Sequence, residues 1–202
     1  MLFLIQKGGI VMIIIILLSL IAAVIIIERL IFFRKIRVDE DQMISRLKAT
    51  LEKGHFDEAL SICESNPTPI TNLMRVGIEH HDYTESQIKD VIVAAANLEI
   101  PRLEQFLPTL GTIANVATLL GLLGTVLGTI QAFGVLGSTG VVSDPTVLGK
   151  GIAVALLTTA AGIIVAIPSI GFYNHLVSKV NHIIIRLENR VSEMVLLLVR
   201  GK

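Results

Sequence analysis

This chain of 202 residues contains a single cysteine and has no net charge. The single cysteine, Cys63, excludes an internal disulfide and disfavours a zinc site. The 17 basic and 17 acidic residues balance to a formal net charge of zero. Nothing in the composition therefore points to nucleic acid as a partner.

Charge is also absent from long stretches of the sequence. Residues 105–143 contain no Asp, Glu, Lys or Arg, and 52% of the whole chain is hydrophobic. Three apolar runs, residues 10–27, 110–136 and 147–172, are long enough to cross a bilayer as helices. The first run is followed by a basic cluster, and no small-residue cleavage site comes after it. We therefore predict a retained span and not a signal peptide. The prediction is an all-α membrane protein with three transmembrane helices.

The positions of the basic residues predict the orientation. Fifteen of the 17 Lys and Arg residues lie within residues 28–104 and 179–202, which the positive-inside rule places in the cytoplasm. Apolar residues recur at helical spacing after Tyr173, so the third span is expected to extend into the cytoplasm. The second span is expected to do so as well, because a predicted helix continues through residues 99–104 into it. The predicted order is a periplasmic N-terminus (1–9), a first span (10–33), a cytoplasmic helical region (34–109), a second span (110–136), a periplasmic loop (137–146), a third span (147–172) and a cytoplasmic C-terminal helix (173–202).

The cytoplasmic region is predicted to fold as short amphipathic helices. Met43, Ile44, Leu47 and Leu51 share one face of the first helix, and Gly54 is a stop signal. A second helix is predicted over residues 56–63, followed by a turn over 66–69. Thr84 and Gln87 fit a capping box that opens a further helix, and kinks are predicted at Pro101 and Pro108.

The second run contains polar side chains that a plain membrane anchor would not need: Thr112, Asn115, Thr118, Thr125 and Thr129. Gly124 and Gly128 form a GxxxG pattern, which by itself indicates close packing of helices. Thr125 and the pair Thr158-Thr159 bring hydroxyls to a similar depth, which favours a polar seam between the two spans. Neither run contains an acid, so this chain does not supply a titrating group for proton transfer within the bilayer.

Other polar residues are interpreted as structural. Glu28 beside Arg29 predicts an ion pair at the membrane interface. His80 and His81 lie in a polar turn without a His-x-x-x-His pattern, so no metal site is predicted. Ser169 lacks the preceding glycine of a nucleophile elbow, and no general base can be paired with it. We therefore predict no catalytic residue, no cofactor and no enzyme activity.

Several short motifs together cover most of the chain and carry a resemblance to a known family. In order they are Glu28-Arg29, Glu99-x-x-Arg102-Leu103-Glu104, the run Leu-Leu-Gly-Leu-Leu-Gly-Thr-Val over residues 119–126 with Gly128 and Phe133, the run Gly-Ile-Ala-x-Ala-Leu-Leu-Thr-Thr-Ala over 151–160 with Gly162 and Ala-Ile-Pro over 166–168, and Tyr173-Asn174. They resemble the MotA/TolQ/ExbB proton channel family, and most closely its shorter ExbB and TolQ branch.

The resemblance implies a multimeric ring, typically a pentamer, in the bacterial inner membrane around the single transmembrane helices of an ExbD- or TolR-like partner. The membrane aspartate of that partner would take the proton. Ion flow would turn the ring relative to its axle and energise a periplasmic or outer-membrane process. A TonB- or TolA-like protein is a further partner that the resemblance implies.

The resemblance also assigns roles to residues of the spans. Thr125 and Thr159 fall on the two channel threonines of the family, with Thr158 and Thr118 as further candidates for lining the ion path. Helix packing is assigned to Gly121, Gly124, Gly128, Gly162 and Pro168.

Two positions depart from the family pattern. Val154 stands where ExbB and TolQ proteins have a glutamate, which removes a polar contact from the path. Ala117-Thr118 replaces the Ala-Pro pair of many members.

A hypothesis from another class of function is a non-conducting membrane scaffold that oligomerises around a partner helix. In this hypothesis the threonines only pack helices.

Overall fold

The structure is a computed structural model that describes residues 2–36, 40–139 and 145–200. Within these ranges the chain is helical apart from short connections and contains no strand, which confirms the predicted all-α class. The helices are α1 (Leu2–Ile36), α2 (Glu40–Glu52), α3 (Phe56–Ser65), α4 (Pro69–Glu79), α5 (Glu85–Glu104), α6 (Leu107–Thr139) and α7 (Pro145–Arg200).

Three helical stretches within the described ranges are long and apolar enough to cross a membrane. They are Gly9–Arg34, Glu85–Gly134 and Gly151–Val199, and each contains the greater part of one predicted apolar run. The chain is therefore an all-α membrane protein with three membrane-spanning helices.

The ends of the spanning helices differ in detail from the predicted segment boundaries. α1 begins at Leu2 and is interrupted at Gly9, whose φ of +61° is a conformation that glycine adopts without steric cost. Residues 137–139 and 145–146 of the predicted loop are helical, because α6 ends at Thr139 and α7 begins at Pro145. The remainder of that predicted loop, residues 140–144, lies outside the described residues.

The chain forms two compact units. The first, called the membrane unit here, contains α1 up to Arg29, then Phe106 and α6, and α7 up to Leu176. The second, called the peripheral unit, contains the rest of α1, the helices α2 to α5, and α7 from Val177.

In the membrane unit, α1 buries one narrow stripe and exposes the rest of its surface. The stripe includes Val11, Met12, Ile15, Ala22 and Ile25, at spacings that return to the same helical face. Large apolar side chains on the other faces are more than half exposed: Ile10, Leu17, Leu20, Val24 and Ile27. A helix that is apolar all round and leaves such side chains uncovered is suited to a lipid environment.

The peripheral unit has its own apolar core. Ile44, Leu47 and Leu51 of α2 are buried as predicted, and Met43 is partly buried. The core also includes the side chains Ala59, Cys63, Ile70, Leu73, Met74, Ile78, Ile88 and Ile92.

Local signals end and begin these helices as the sequence predicted. After α2, Gly54 adopts a φ of +76°, which a helix stop of this kind requires. The predicted capping box is present: the Gln87 amide donates to the Thr84 hydroxyl, and the Thr84 amide donates to the Gln87 side chain at 3.1 Å. Within the predicted turn, Thr68 caps α4 and Pro69 begins it.

The helical conformation is interrupted between Pro101 and Pro108, the two prolines for which a kink was predicted. α5 ends at Glu104 and α6 begins at Leu107, with Phe106 at a φ of +65°. Pro108 has no amide hydrogen to donate to the carbonyl of Glu104, so an α-helix cannot continue through this point unchanged. Pro101, in contrast, lies inside α5 without interrupting it.

We expect Thr71→Val to destabilise the peripheral unit. The Thr71 hydroxyl is fully buried, accepts a hydrogen bond from the Thr68 amide at 2.7 Å and lies 2.6 Å from the Asn66 carbonyl, to which it donates. Valine keeps the shape but leaves both backbone groups without this partner, which costs about 1–3 kcal/mol. Thermal unfolding of the purified protein in detergent measures the loss. Thr84→Val, at the exposed capping box, is the control with a smaller expected loss, and equal midpoints for the two variants would contradict the assignment.

Candidate functional site

The contact between α6 and α7 in the membrane unit is built from small residues. A methyl group on Gly128 would lie 2.8 Å from Cβ of Ala155, and one on Gly124 would lie 2.6 Å from Cβ of Thr158. A methyl group on Gly162 would lie 2.5 Å from the backbone carbonyl oxygen of Ala117. Three of the predicted packing glycines therefore lie where the helices approach too closely for any side chain.

Gly121 lies at the centre of the same contact and provides more than space. A methyl group there would lie 3.1 Å from Cα of Thr159, so the two backbones are close at this level. Its carbonyl oxygen accepts a hydrogen bond from the Thr159 hydroxyl at 2.9 Å, and the Thr125 hydroxyl lies 3.3 Å from the same oxygen.

The hydroxyls of Thr125 and Thr159 are hydrogen-bonded to each other across the two helices. The two hydroxyls have two protons between them, and each oxygen also has two lone pairs. One assignment satisfies the two shorter contacts: Thr125 donates to Thr159, and Thr159 donates to the Gly121 carbonyl. Both side chains are only half-buried, so lone pairs on these oxygens remain available to a further donor or a cation. The structure thus brings together the two threonines that the family resemblance selected.

Thr158 and Thr118, the other two predicted lining residues, occupy different surroundings. Thr158 is 1% exposed, fills the space that Gly124 leaves, and donates to the Ala155 carbonyl of its own helix at 2.8 Å. Thr118 is exposed and donates to the Ala114 carbonyl at 3.3 Å. The single chain therefore places Thr158 within the helix contact and Thr118 at a surface.

A set of polar residues on α6 includes Thr118 and Thr125 and is called the polar face here. Its members are Asn115, Thr118, Thr125 and Thr129, which lie within about 80° of one another around the helix. Leu122 interrupts the face between Thr118 and Thr125. Asn115 and Thr129 were not among the predicted site residues, although helical spacing from Thr125 would have placed them on this face.

Val154 is half-buried and lies one turn before Thr158 on α7. Its carbonyl oxygen is 3.3 Å from the Thr158 hydroxyl, so its backbone takes part in this region even though its side chain is apolar. Residues 145–172 contain no Asp or Glu, and neither do residues 105–143. An acid that could take up the proton is therefore absent from these two stretches of the chain.

The predicted ion pair between Glu28 and Arg29 is present. The Arg29 guanidinium donates to one Glu28 carboxylate oxygen at 2.7 Å and is also paired with the other. Its side chain is almost completely buried, and its guanidinium carbon lies 5.5 Å from the centre of the Phe106 ring. The charged Arg29 side chain is therefore buried within the membrane unit, where it contacts Phe106.

The positions of Pro168, Ser169 and His81 are explained by the local structure around them. Pro168 is exposed within an uninterrupted α7, and Ser169 is buried and donates to the Val165 carbonyl at 2.7 Å. His81 stacks on Phe56 at a ring distance of 4.2 Å. In the part of the chain that the structure describes, no three His, Cys, Asp or Glu residues are grouped to hold a metal ion.

These features define a class of protein: a multi-pass helical membrane protein whose second and third spans pack through glycine and present hydroxyls without an acid. Comparison with known proteins identifies the family. The family model described as the MotA/TolQ/ExbB proton channel family matches residues 65–189, more than half of the chain.

Individual relatives agree with this match. A putative biopolymer transport protein ExbB homolog from Methanothermobacter thermautotrophicus is 30% identical over 189 residues, which are 93% of this chain and 67% of that protein. The biopolymer transport protein ExbB of Aquifex aeolicus is 41% identical over 107 residues, 53% of this chain and 71% of that protein. The Tol-Pal system protein TolQ of Haemophilus influenzae is 41% identical over 105 residues, 50% of this chain and 46% of that protein.

The chain therefore belongs to the MotA/TolQ/ExbB proton channel family, with relatives of the ExbB and TolQ type. This membership makes it an energy-transducing protein of the membrane.

Proposed function

We propose that this chain is the ion-conducting subunit of a complex that uses the proton motive force, and that it acts by conduction and not as an enzyme. The observation that supports this most strongly is the hydroxyl pair of Thr125 and Thr159, which joins α6 and α7 within two apolar runs, residues 110–136 and 147–172, that contain no acid. A pair of half-buried hydroxyls can hold water or a cation, but neither hydroxyl titrates in the physiological range. A group from another chain must therefore carry the proton.

The proposed partner is a single-span protein of the ExbD or TolR type that places a membrane aspartate beside this pair. Its carboxylate would accept a proton arriving through water held by the Thr125 and Thr159 oxygens. The hydroxyl pair stays in position because the Gly121 carbonyl anchors Thr159 to α6. In this proposal the protein supplies a fixed polar wall, and the partner supplies the group that changes charge.

We further propose a ring of identical subunits, a pentamer, around the partner helices in the bacterial inner membrane. The N-terminus would be periplasmic and the C-terminus cytoplasmic, as the distribution of Lys and Arg supports. Ion flow would turn the ring relative to the partner helices and energise a periplasmic or outer-membrane process, through a TonB- or TolA-like protein.

A second candidate is a scaffold that does not conduct ions. It is favoured by the glycine contacts, since close packing alone accounts for Gly124, Gly128 and Gly162, and by Thr158, whose hydroxyl is satisfied within α7. The two functions differ in one measurable property, which is ion flux.

Reconstitution in liposomes distinguishes these functions. The chain is purified together with its single-span partner, and proton entry is followed with an internal pH dye after a potassium diffusion potential is imposed. We expect flux from the complex above that of empty liposomes and of the partner alone. A complex that assembles but gives no proton or sodium flux would support the scaffold and overturn the channel proposal.

A further inference from the structure

Asn115 carries a carboxamide side chain on α6, whose residues 107–139 include no Asp, Glu, Lys or Arg. It lies on the polar face of α6, eight residues after the helix begins at Leu107. Its helical neighbours Thr112 and Thr118 are polar, whereas Ile113, Val116 and Leu119 are apolar. A carboxamide carries two donors and an acceptor, so leaving it in hydrocarbon is costly unless a partner satisfies it.

The threonines of the polar face differ from Asn115 in how they are satisfied. Thr118, Thr125 and Thr129 each place their hydroxyl within hydrogen-bonding distance of a carbonyl of α6, between 2.8 and 3.3 Å away. Asn115 is exposed, and among the residues that the structure describes no group forms a hydrogen bond with its side chain. Within the described part of the chain, its hydrogen-bonding capacity is therefore unused.

The position of Asn115 relates it to the hydroxyl pair. It precedes Thr125 by ten residues, which is about 15 Å along an α-helix, and the two residues lie about 80° apart around α6. The contact with α7 is centred on Gly121, Gly124 and Gly128, which lie at least about 120° around α6 from Asn115, and Thr125 lies at the edge of this contact. The packing of α6 against α7 therefore leaves the Asn115 side chain exposed.

We propose that Asn115 is a further lining residue of the ion path, whose carboxamide holds water between Thr125 and the start of α6 at Leu107. This inference rests on the proposed function. The carbonyl oxygen of the side chain accepts a hydrogen bond from one water, and the amide group donates to the next. Because a carboxamide does not titrate, Asn115 conducts by holding these waters and not by taking up the proton.

Two substitutions at this position test the proposal by flux in the liposome assay. Asn115→Leu is close in size and removes all hydrogen bonding, and it is expected to reduce flux about tenfold or more. Asn115→Thr keeps a polar group and is expected to stay within about threefold of the wild type. Equal flux from wild type and Asn115→Leu would overturn the proposal and leave the proposed function standing. Absence of flux in the wild type would instead overturn the proposed function.

Cysteine accessibility gives an independent test that does not need a conducting variant. Asn115→Cys and Leu120→Cys are made in a Cys63→Ala background and treated with a water-soluble cationic methanethiosulfonate reagent. Leu120 is the matched control because it lies five residues away and about 140° around α6 from Asn115. Burial raises the pKa of the native Cys63 thiol to about 11, so that thiol reacts slowly even where it is retained.

We expect the cysteine at position 115 to react in the assembled complex and the one at position 120 to stay unreacted. No reaction at position 115, or equal reaction at both positions, would show that Asn115 does not face water and would overturn the proposal.

Discussion

Replacement of Thr159 by valine is expected to reduce ion flux by one to two orders of magnitude while the complex still assembles. Valine has the same shape and removes only the hydroxyl, which bonds to Thr125 and to the Gly121 carbonyl. In the proposed path the Thr159 oxygen also accepts a hydrogen bond from the water that carries the proton. A hydrogen bond to such a charged group contributes about 1.5–3 kcal/mol, and each 1.4 kcal/mol corresponds to roughly a tenfold change in rate. Flux in liposomes gives the effect, and native mass spectrometry of the same sample gives the subunit count.

Thr158→Val is the matched control, because it makes the same chemical change at the neighbouring residue. The Thr158 hydroxyl is buried and satisfied by carbonyls of its own helix, so its loss is expected to change flux less than about threefold. Thr125→Val is expected to resemble Thr159→Val, and the double variant is expected to be no worse than the single ones, since both remove one bonded pair. Equal loss in Thr158→Val and Thr159→Val would contradict the assignment of the path to the Thr125 and Thr159 pair.

Gly162→Ala is expected to disrupt the contact between α6 and α7. The added methyl group would lie 2.5 Å from the Ala117 carbonyl oxygen and 3.1 Å from Cα of Gly121, and both atoms belong to the backbone. No rotamer change relieves such a clash, so the helices must separate. Overpacking of this kind costs about 1–3 kcal/mol, and we expect a lower unfolding temperature in detergent and a smaller fraction of assembled complex.

Gly171→Ala provides the control on the same helix. Nothing lies within 4 Å of a methyl group at this position, so the substitution is expected to leave the unfolding temperature unchanged or slightly raised, since alanine favours the helix over glycine. Similar losses for the two variants would indicate that glycine matters for helix flexibility and not for the close approach of the two spans.

Much of the fold was predictable because each element has a strong local signal. Long apolar runs require helices in a bilayer, and this predicted the three spans. The capping box at Thr84 and the stop at Gly54 depend on a few neighbouring residues, and both were found as predicted. The break between α5 and α6 was predicted only as kinks at two prolines. Both prolines lack the amide hydrogen that a helix interior uses, so the local signal did not tell which of them would interrupt the helix.

The candidate site was predictable in part. Sequence placed Thr125, Thr158 and Thr159 at a similar depth but could not tell which hydroxyls meet, because this depends on the rotation of one helix against the other. In the structure that rotation pairs Thr125 with Thr159 and buries Thr158 against Gly124. Asn115 stood out in the sequence as a polar residue within an apolar run. It was not predicted to line the path, because a single amide has no motif and the side of α6 that packs against α7 was not known.

The central claim is that this chain supplies the polar wall and its partner supplies the acid. The most direct test compares proton flux in liposomes for two complexes that differ only in the partner, one with its membrane aspartate and one with asparagine in its place. We expect flux from the first complex and flux at the level of empty liposomes from the second, with the same subunit count in both. Undiminished flux with asparagine would contradict the account.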